Sequence, residues 1–469
     1  TLRSRVFQAG FILVMVAFLF AGLLGVDERQ VENFRSGGQE VYPALLAIYT
    51  FFAWLAVPFY GARWIWEERR DDTFPILSIT TLGAWRMVLG RLAAGLVQLL
   101  LFLSILAPFA TFSYLLRGLD PFFLFQSIAI VVAIAVFLLM AGIFLSTLAA
   151  NRIAFGFLIV VFMVGLLIAY LTSFGVYFEI MRFGGGRLEE GVFPAILGAT
   201  IPLTLVLMCA SRASLAPATT NYSAAVRLAV AGTIGVWFLA YLAIPYWSTG
   251  TITKGDEVHL WSVPSLILAA CLALATIGEP EDLSHRVRLQ AARFVHGRIR
   301  FQVFLSWFFT HRGTGYGLFV LLAFGISAGH FALGEVGPWD SDLLGVPILA
   351  EYLVIYFGLG LIVGRWVLPA ASRIPRNLRL TPLLLAGLGT IVAAVYQIFL
   401  SDWYDRGATI PDLFSPIALL PKMESARGIS PPIAFGILGV VAAIVVVLNL
   451  DIVGKGVWQV VSAKRDDPA

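Results

Sequence analysis

The residues able to do chemistry are few and scattered. The 469-residue chain has five histidines, two cysteines and four lysines, Lys254, Lys422, Lys455 and Lys464. No Gly-x-x-x-x-Gly-Lys-Ser/Thr phosphate loop occurs, so the chain supplies no ATPase of that kind. His-Glu-x-x-His and Gly-x-Ser-x-Gly are also absent. His259, His285, His296, His311 and His330 do not form a ligand set, and His311 and His330 fall near opposite ends of one apolar run. They are expected to be solvated at membrane interfaces rather than to hold haem. Cys209 and Cys271 stand at apolar positions and read as small hydrophobes, with no disulfide framework or zinc spacing. The sequence therefore offers no catalytic, cofactor-binding or metal-ligating residue.

Ionisable residues inside apolar runs are almost as scarce. A charge at the bilayer centre costs about 2.5–3.5 kcal/mol or more, so those present invite a functional reading. Glu351 lies a few residues inside such a run, near its outer end, and is a candidate substrate contact. Otherwise its carboxyl reaches the interface or pairs with a neighbour. Asp451 sits near the inner end of the last run, and Gln98, Gln126 and Gln397 are the main polar groups deeper in. A proton- or sodium-driven carrier would be expected to show more, so the energy source is sought outside the chain.

The elements that must position these groups are membrane helices. The chain is 59% hydrophobic and 13% charged, with mean hydropathy +0.88. Soluble domains carry about 25% charged residues. Runs long enough for a span, about 20 residues, occur near 6–24, 42–60, 92–115, 122–149, 153–178, 192–210, 228–247, 260–277, 316–333, 346–368, 382–400 and 433–453. The predicted fold is all-α: a polytopic bundle of about twelve spans. With the N-terminus inside, inner segments hold 23 of the 32 Lys and Arg residues. That excess satisfies the positive-inside rule and puts both termini in the cytoplasm. The basic residues are spread over loops, so nucleic-acid binding is not expected.

One inner segment stands out. Ala62 to Arg91 reads ARWIWEERRDDTFPILSITTLGAWRMVLGR. The cluster Glu67, Glu68, Arg69, Arg70, Asp71, Asp72 and Thr73 precedes an apolar stretch, then Thr80, Thr81 and Leu82, then Leu89-Gly90-Arg91 entering a span. Asp71, Asp72 and Thr73 are good N-cap types and Pro75 suits a first turn. A short helix is predicted from about Thr73 to Thr80, lying beneath the membrane. In its order of features this segment resembles the cytoplasmic coupling segment of ABC-2-type transporter permeases. There a Glu/Arg-rich run, Gly-Thr, a Leu-rich stretch, Thr-Pro-Leu and Leu-Gly-Lys follow one another. Asp72 replaces the Gly, the Pro after Thr81 is missing, and Arg91 replaces the Lys.

The resemblance implies the membrane-spanning subunit of an ATP-driven transporter, with export the expected direction. A separate cytoplasmic ATP-binding subunit would dock on residues 67–73 and 80–82. A second permease unit, identical or not, would complete the pathway. The expected location is a bacterial inner (plasma) membrane. The alternative is a non-transporting structural or assembly subunit of a larger membrane complex.

Other regions bear on the division of the chain. Residues 1–211 read as a six-span permease half containing the coupling segment 62–91, and residues 212–278 as two further spans. Residues 279–313 form a basic inner segment that mixes six arginines with Val287, Leu289, Phe294, Phe301, Phe304, Trp307 and Phe308. That is the composition of a helix lying on anionic membrane lipids, and it resembles the elbow helix of ABC-2 permeases. Residues 314–469 hold four more spans. Phe414-Ser415-Pro416 resembles an element that precedes the last span in that family. The repeat of Gly61-Ala62-Arg63-Trp64 as Gly364-Arg365-Trp366 fits two fused halves, the second without the coupling sequence. One enlarged unit fits equally.

Overall fold

In a computed structural model the described residues are 12–20, 37–70, 83–116, 119–148, 152–183, 191–217, 219–249, 258–294, 299–334, 341–367, 375–400, 410–420 and 429–463. They are all-α. Ten of their helices are long and apolar enough to cross a membrane. Of the twelve expected spans, the first is described only over 12–20. The eleventh falls in the 26-residue helix Pro375–Leu400. The chain divides into two compact units, Thr1–Ala216 and Pro217–Ala469.

In the first unit, α1 is 12–20, α2 is Gly37–Phe51, and α3 is Val57–Arg70, joined to α2 by a π turn at Phe52–Ala56. Then come α4 (Ala84–Leu115), α5 (Pro121–Leu148), α6 (Arg152–Phe183) and α7 (Val192–Leu215). Lipid offers no hydrophobic drive between helices, so close packing and hydrogen bonds must hold them. The core shows both. Tyr42, Leu45, Tyr49, Leu106, Leu139 and Met140 are fully buried. The Tyr42 and Ser127 hydroxyls lie 2.6 Å apart, and the Trp54 indole N–H donates to the Val131 carbonyl at 3.0 Å. A Cβ on Gly142 would sit 2.5 Å from the Pro58 carbonyl oxygen. Only glycine lets α3 and α5 approach this closely. By contrast, Phe157, Val160, Val164, Ile168 and Leu171 of α6 are exposed along one apolar stripe. A water-soluble surface rarely carries so long a stripe, whereas lipid solvates it.

The second unit contains α8 (Ala224–Thr249), α9 (His259–Thr276), α10 (His285–Phe294), α11 (Ile299–Ser306), α12 (Arg312–Leu333) and α13 (Ser341–Ile362). A π turn, Val363–Val367, extends α13. Pro375–Leu400 is α14. A 3-10 turn, Ile410–Phe414, and a one-turn helix α15, Pro416–Leu419, precede α16 (Pro431–Leu448) and α17 (Leu450–Ser462). The Tyr352 hydroxyl donates to the Leu413 carbonyl at 3.0 Å, and Tyr356 donates to that of Phe414. The Ser415 hydroxyl lies 3.1 Å from that of Thr390. The Phe414-Ser415-Pro416 element is thus tied to both α13 and α14.

Among the described residues of the basic segment 279–313 are two short helices, α10 and α11. Val287 does not face outward: it is buried with Leu283, Ala291, Phe309, Val460 and Ala463 against α17. Gln459 reinforces this contact, accepting from the Leu283 N–H at 3.0 Å and donating to Asp282 at 2.9 Å. Leu289, Phe301 and Phe304 remain exposed beside Arg286, Arg288 and Arg300.

Candidate functional site

Three places in the chain concentrate polar residues. The first is the charged end of α3. The helix of the second span runs on to Arg70, so Glu67, Glu68, Arg69 and Arg70 occupy its last turns. Ten residues past Tyr60 add about 15 Å of helix. Asp71, Asp72, Thr73, Thr80, Thr81 and Leu82, with the short helix expected there, lie outside the described residues. The segment resumes at Gly83, whose carbonyl accepts from the Arg86 N–H at 2.9 Å to open α4. Behind this end, α3 packs closely against α5 at Gly142, and the π turn before it is tied to α5 by the Trp54–Val131 hydrogen bond.

The second is a buried latch around Arg227. Arg227 is completely buried and forms an ion pair with Glu279, itself 1% exposed. One guanidinium nitrogen donates to the Trp307 carbonyl at 2.7 Å and to Thr314 at 2.9 Å; the other donates to Glu279 and to the His311 carbonyl at 3.0 Å. Arg312 closes the ring. Its Nε donates to the Glu279 carbonyl at 3.0 Å and its Nη1 to Glu281 at 2.5 Å. Alongside, Asn221 accepts from the Thr310 N–H at 2.9 Å and from its hydroxyl at 2.7 Å. The start of α8, the end of α9 and the start of α12 are thus joined through polar atoms.

His311 and His330 correct the expectation of solvated histidines, for both are almost fully buried. The His330 ring lies 4.9 Å from that of His259, and its Nδ1 is 3.0 Å from the Ser262 hydroxyl. His311 is the N-cap of α12: its Nδ1 accepts from the Gly313 N–H at 2.9 Å. Burial is the main cause that pushes the His311 imidazole from the ordinary 6.5 down to about 4, and the neighbouring Arg227 and Arg312 push the same way. Glu281 and Asp282 oppose the shift. The folded state therefore prefers neutral His311, while the unfolded chain takes up a proton below about pH 6.5. Stability is complete above that pH and declines as the pH falls toward 4, by on the order of 3 kcal/mol. Thermal unfolding across this range should show the decline. His311→Asn, which keeps an N-cap acceptor but cannot titrate, should remove it.

The third place is Glu351, on α13. It lies eight residues inside the span Leu343–Trp366, about 12 Å along the axis. Its Oε2 is buried without a hydrogen-bond partner. Asp451 differs: Arg365 donates to it, and that bond holds its carboxyl below the usual carboxylate range. Both side chains of this pair are more than a third exposed, so it adds little stability.

Among the described residues no group of three or more His, Cys, Asp or Glu side chains is placed to hold a metal ion. Cys209 and Cys271 are free. No family model, curated protein or solved structure matches the chain. The ten apolar helices and their lipid-compatible outer faces make it a multi-pass integral membrane protein.

Proposed function

We propose that the chain is the membrane-spanning permease subunit of an ABC-2-type, ATP-driven exporter, energised by a separate cytoplasmic ATP-binding subunit. The observation that carries this reading is the order of residues from Ala62 to Arg91, running from the end of α3 into the start of α4. The packing of α3 against α5 supports it. A partner docked on Glu67–Leu82 would move α3, and the contacts at Gly142 and Trp54 would carry α5 with it. ATP drives the cycle only if the partner binds the inward and outward states with different affinity. The tied element at Phe414-Ser415-Pro416 supports a permease-like second unit. A second permease unit completes the pathway, and Glu351 is the candidate cargo contact.

The proposed topology places both termini and the coupling segment in the cytoplasm of the inner membrane. Single cysteines at positions 69 and 376 should be labelled only from inside, and those at 190 and 405 only from outside. Outside labelling at 69 or 376 would reverse the topology and remove the docking site. The functional test is ATP-dependent transport by the reconstituted pair of subunits, compared with a coupling-segment variant as described in the Discussion.

A further inference from the structure

We propose that α10 and α11 form a dock for anionic phospholipid. Their arginines pair with headgroup phosphates, while Leu289, Phe301 and Phe304 enter the edge of the acyl layer. With the topology proposed above, the lipid is that of the inner leaflet.

The charge of this stretch has no answer within it. Residues 283–311 contain five arginines and no Asp or Glu. Arg286, Arg288, Arg293 and Arg300 are exposed and stand in no ion pair among the described residues. The acids just before the stretch are engaged elsewhere: Glu279 with Arg227, Glu281 with Arg312, and Asp282 with Gln459. Like charges gathered on one surface repel one another, so the counter-charge must come from outside the fold.

The apolar side chains lie among these arginines rather than apart from them. α10 turns Val287 and Ala291 inward, against α17. Two residues past Val287, about 200° around the helix, Leu289 stands on the opposite face. Arg286 and Arg293 flank it on one side and Arg288 on the other. On α11, Phe301 and Phe304 are three residues apart and share a face with Arg300. Their rings are 54% and 56% exposed. A surface meant for water or for an acidic soluble partner has no use for large apolar groups between its charges. An anionic leaflet takes both kinds of group at once.

The position of the helices also selects lipid. Ser306 ends α11, and Arg312 begins the membrane-spanning helix α12. Trp307, between them, packs against Gly317, where a Cβ would meet its ring. Gly317 is five residues into α12, about 8 Å along the axis. The end of α11 is therefore held beside the first turns of a span, where headgroups meet acyl chains. α10 is held by α17, which follows the span α16 after the single residue Asn449.

The test places a fluorophore on the full chain through Phe304→Cys, with Cys209 and Cys271 replaced by alanine. The protein is reconstituted in phosphatidylcholine vesicles that carry a small fraction of nitroxide lipid. That lipid is either phosphatidylglycerol or phosphatidylcholine, with the nitroxide high on one acyl chain. Both should quench the label, phosphatidylglycerol about twofold or more strongly at low salt. The preference should shrink in about 1 M salt, where the Debye length is about 3 Å. Arg286→Gln, Arg288→Gln and Arg300→Gln together should abolish the preference and leave the quenching. The three side chains are exposed, so this variant should fold, and its melting temperature checks that. Quenching by neither lipid, equal quenching by the two at low salt, or a preference unchanged by salt or by the glutamine variant would each overturn the proposal. The vesicles carry the same lipid in both leaflets and no ATP-binding subunit, so the result is independent of the topology and of the permease reading.

Discussion

Replacing Glu279 by alanine is expected to destabilise the second unit by about 3–5 kcal/mol, the usual cost of leaving one charge of a buried pair alone. The partner left behind is Arg227, which is completely buried and cannot swing into water. Its Nε already lacks a hydrogen-bond partner, so there is no slack in the site. Thermal unfolding in detergent should show the loss as a large drop in melting temperature. Replacing both residues by methionine removes both charges, and for an isolated pair that is often neutral. Here recovery should be only partial. The Trp307 carbonyl would lose its donor, and a buried polar group without a partner costs about 1–3 kcal/mol. A single alanine variant as stable as the wild-type chain would show that the latch does not hold the second unit together.

The other large effect is expected on transport. Replacing Glu68 and Arg69 together by alanine should lower ATP-driven transport by about tenfold or more, while the permease stays folded. Allosteric couplings are commonly worth about 1–3 kcal/mol, five- to 150-fold in affinity. Losing the docking charges should remove most of such a coupling. Both residues lie in the last turns of α3, past the span Val41–Arg63. The packing of α3 on α5 at Gly142 and the Trp54 anchor are several turns away and should survive. The measurement is transport and ATP hydrolysis on the same reconstituted sample. Hydrolysis that persists while transport falls marks uncoupling. Normal transport by the double variant would remove docking from this part of α3.

Much of the architecture could be read from the sequence because apolar runs of span length have few alternatives. Pro121–Leu148 and Pro431–Leu448 fall close to their expected positions. The extension of α3 to Arg70 was not legible, because a charged run reads as loop when helical period is judged by apolar residues. The Arg227 latch was hidden for another reason. Arg227 and Arg312 look like ordinary inner-loop arginines, and they fit the charge bias that such loops show. Their burial depends on Glu279 and on the carbonyls of Trp307 and His311, residues from distant parts of the chain. His311 and His330 were misread likewise, since nothing local reveals that their rings are enclosed. Val287 was expected among lipid-facing residues, but its partner Val460 lies far along the chain. Glu351 was legible as a lone acid in an apolar run. The room left for it by Gly439 became visible only when α13 and α16 were packed together.

The most direct test of the central claim is site-specific photocrosslinking from position 69 in native membranes. The crosslinked partner is then probed with a photoreactive ATP analogue. The expected result is one dominant adduct whose partner is labelled by the ATP analogue and competed by unlabelled ATP. The adduct should be lost when Glu68 is replaced by alanine in the same chain. A dominant partner at position 69 that does not bind ATP, or lipid adducts alone, would contradict the reading of this chain as an ATP-driven permease.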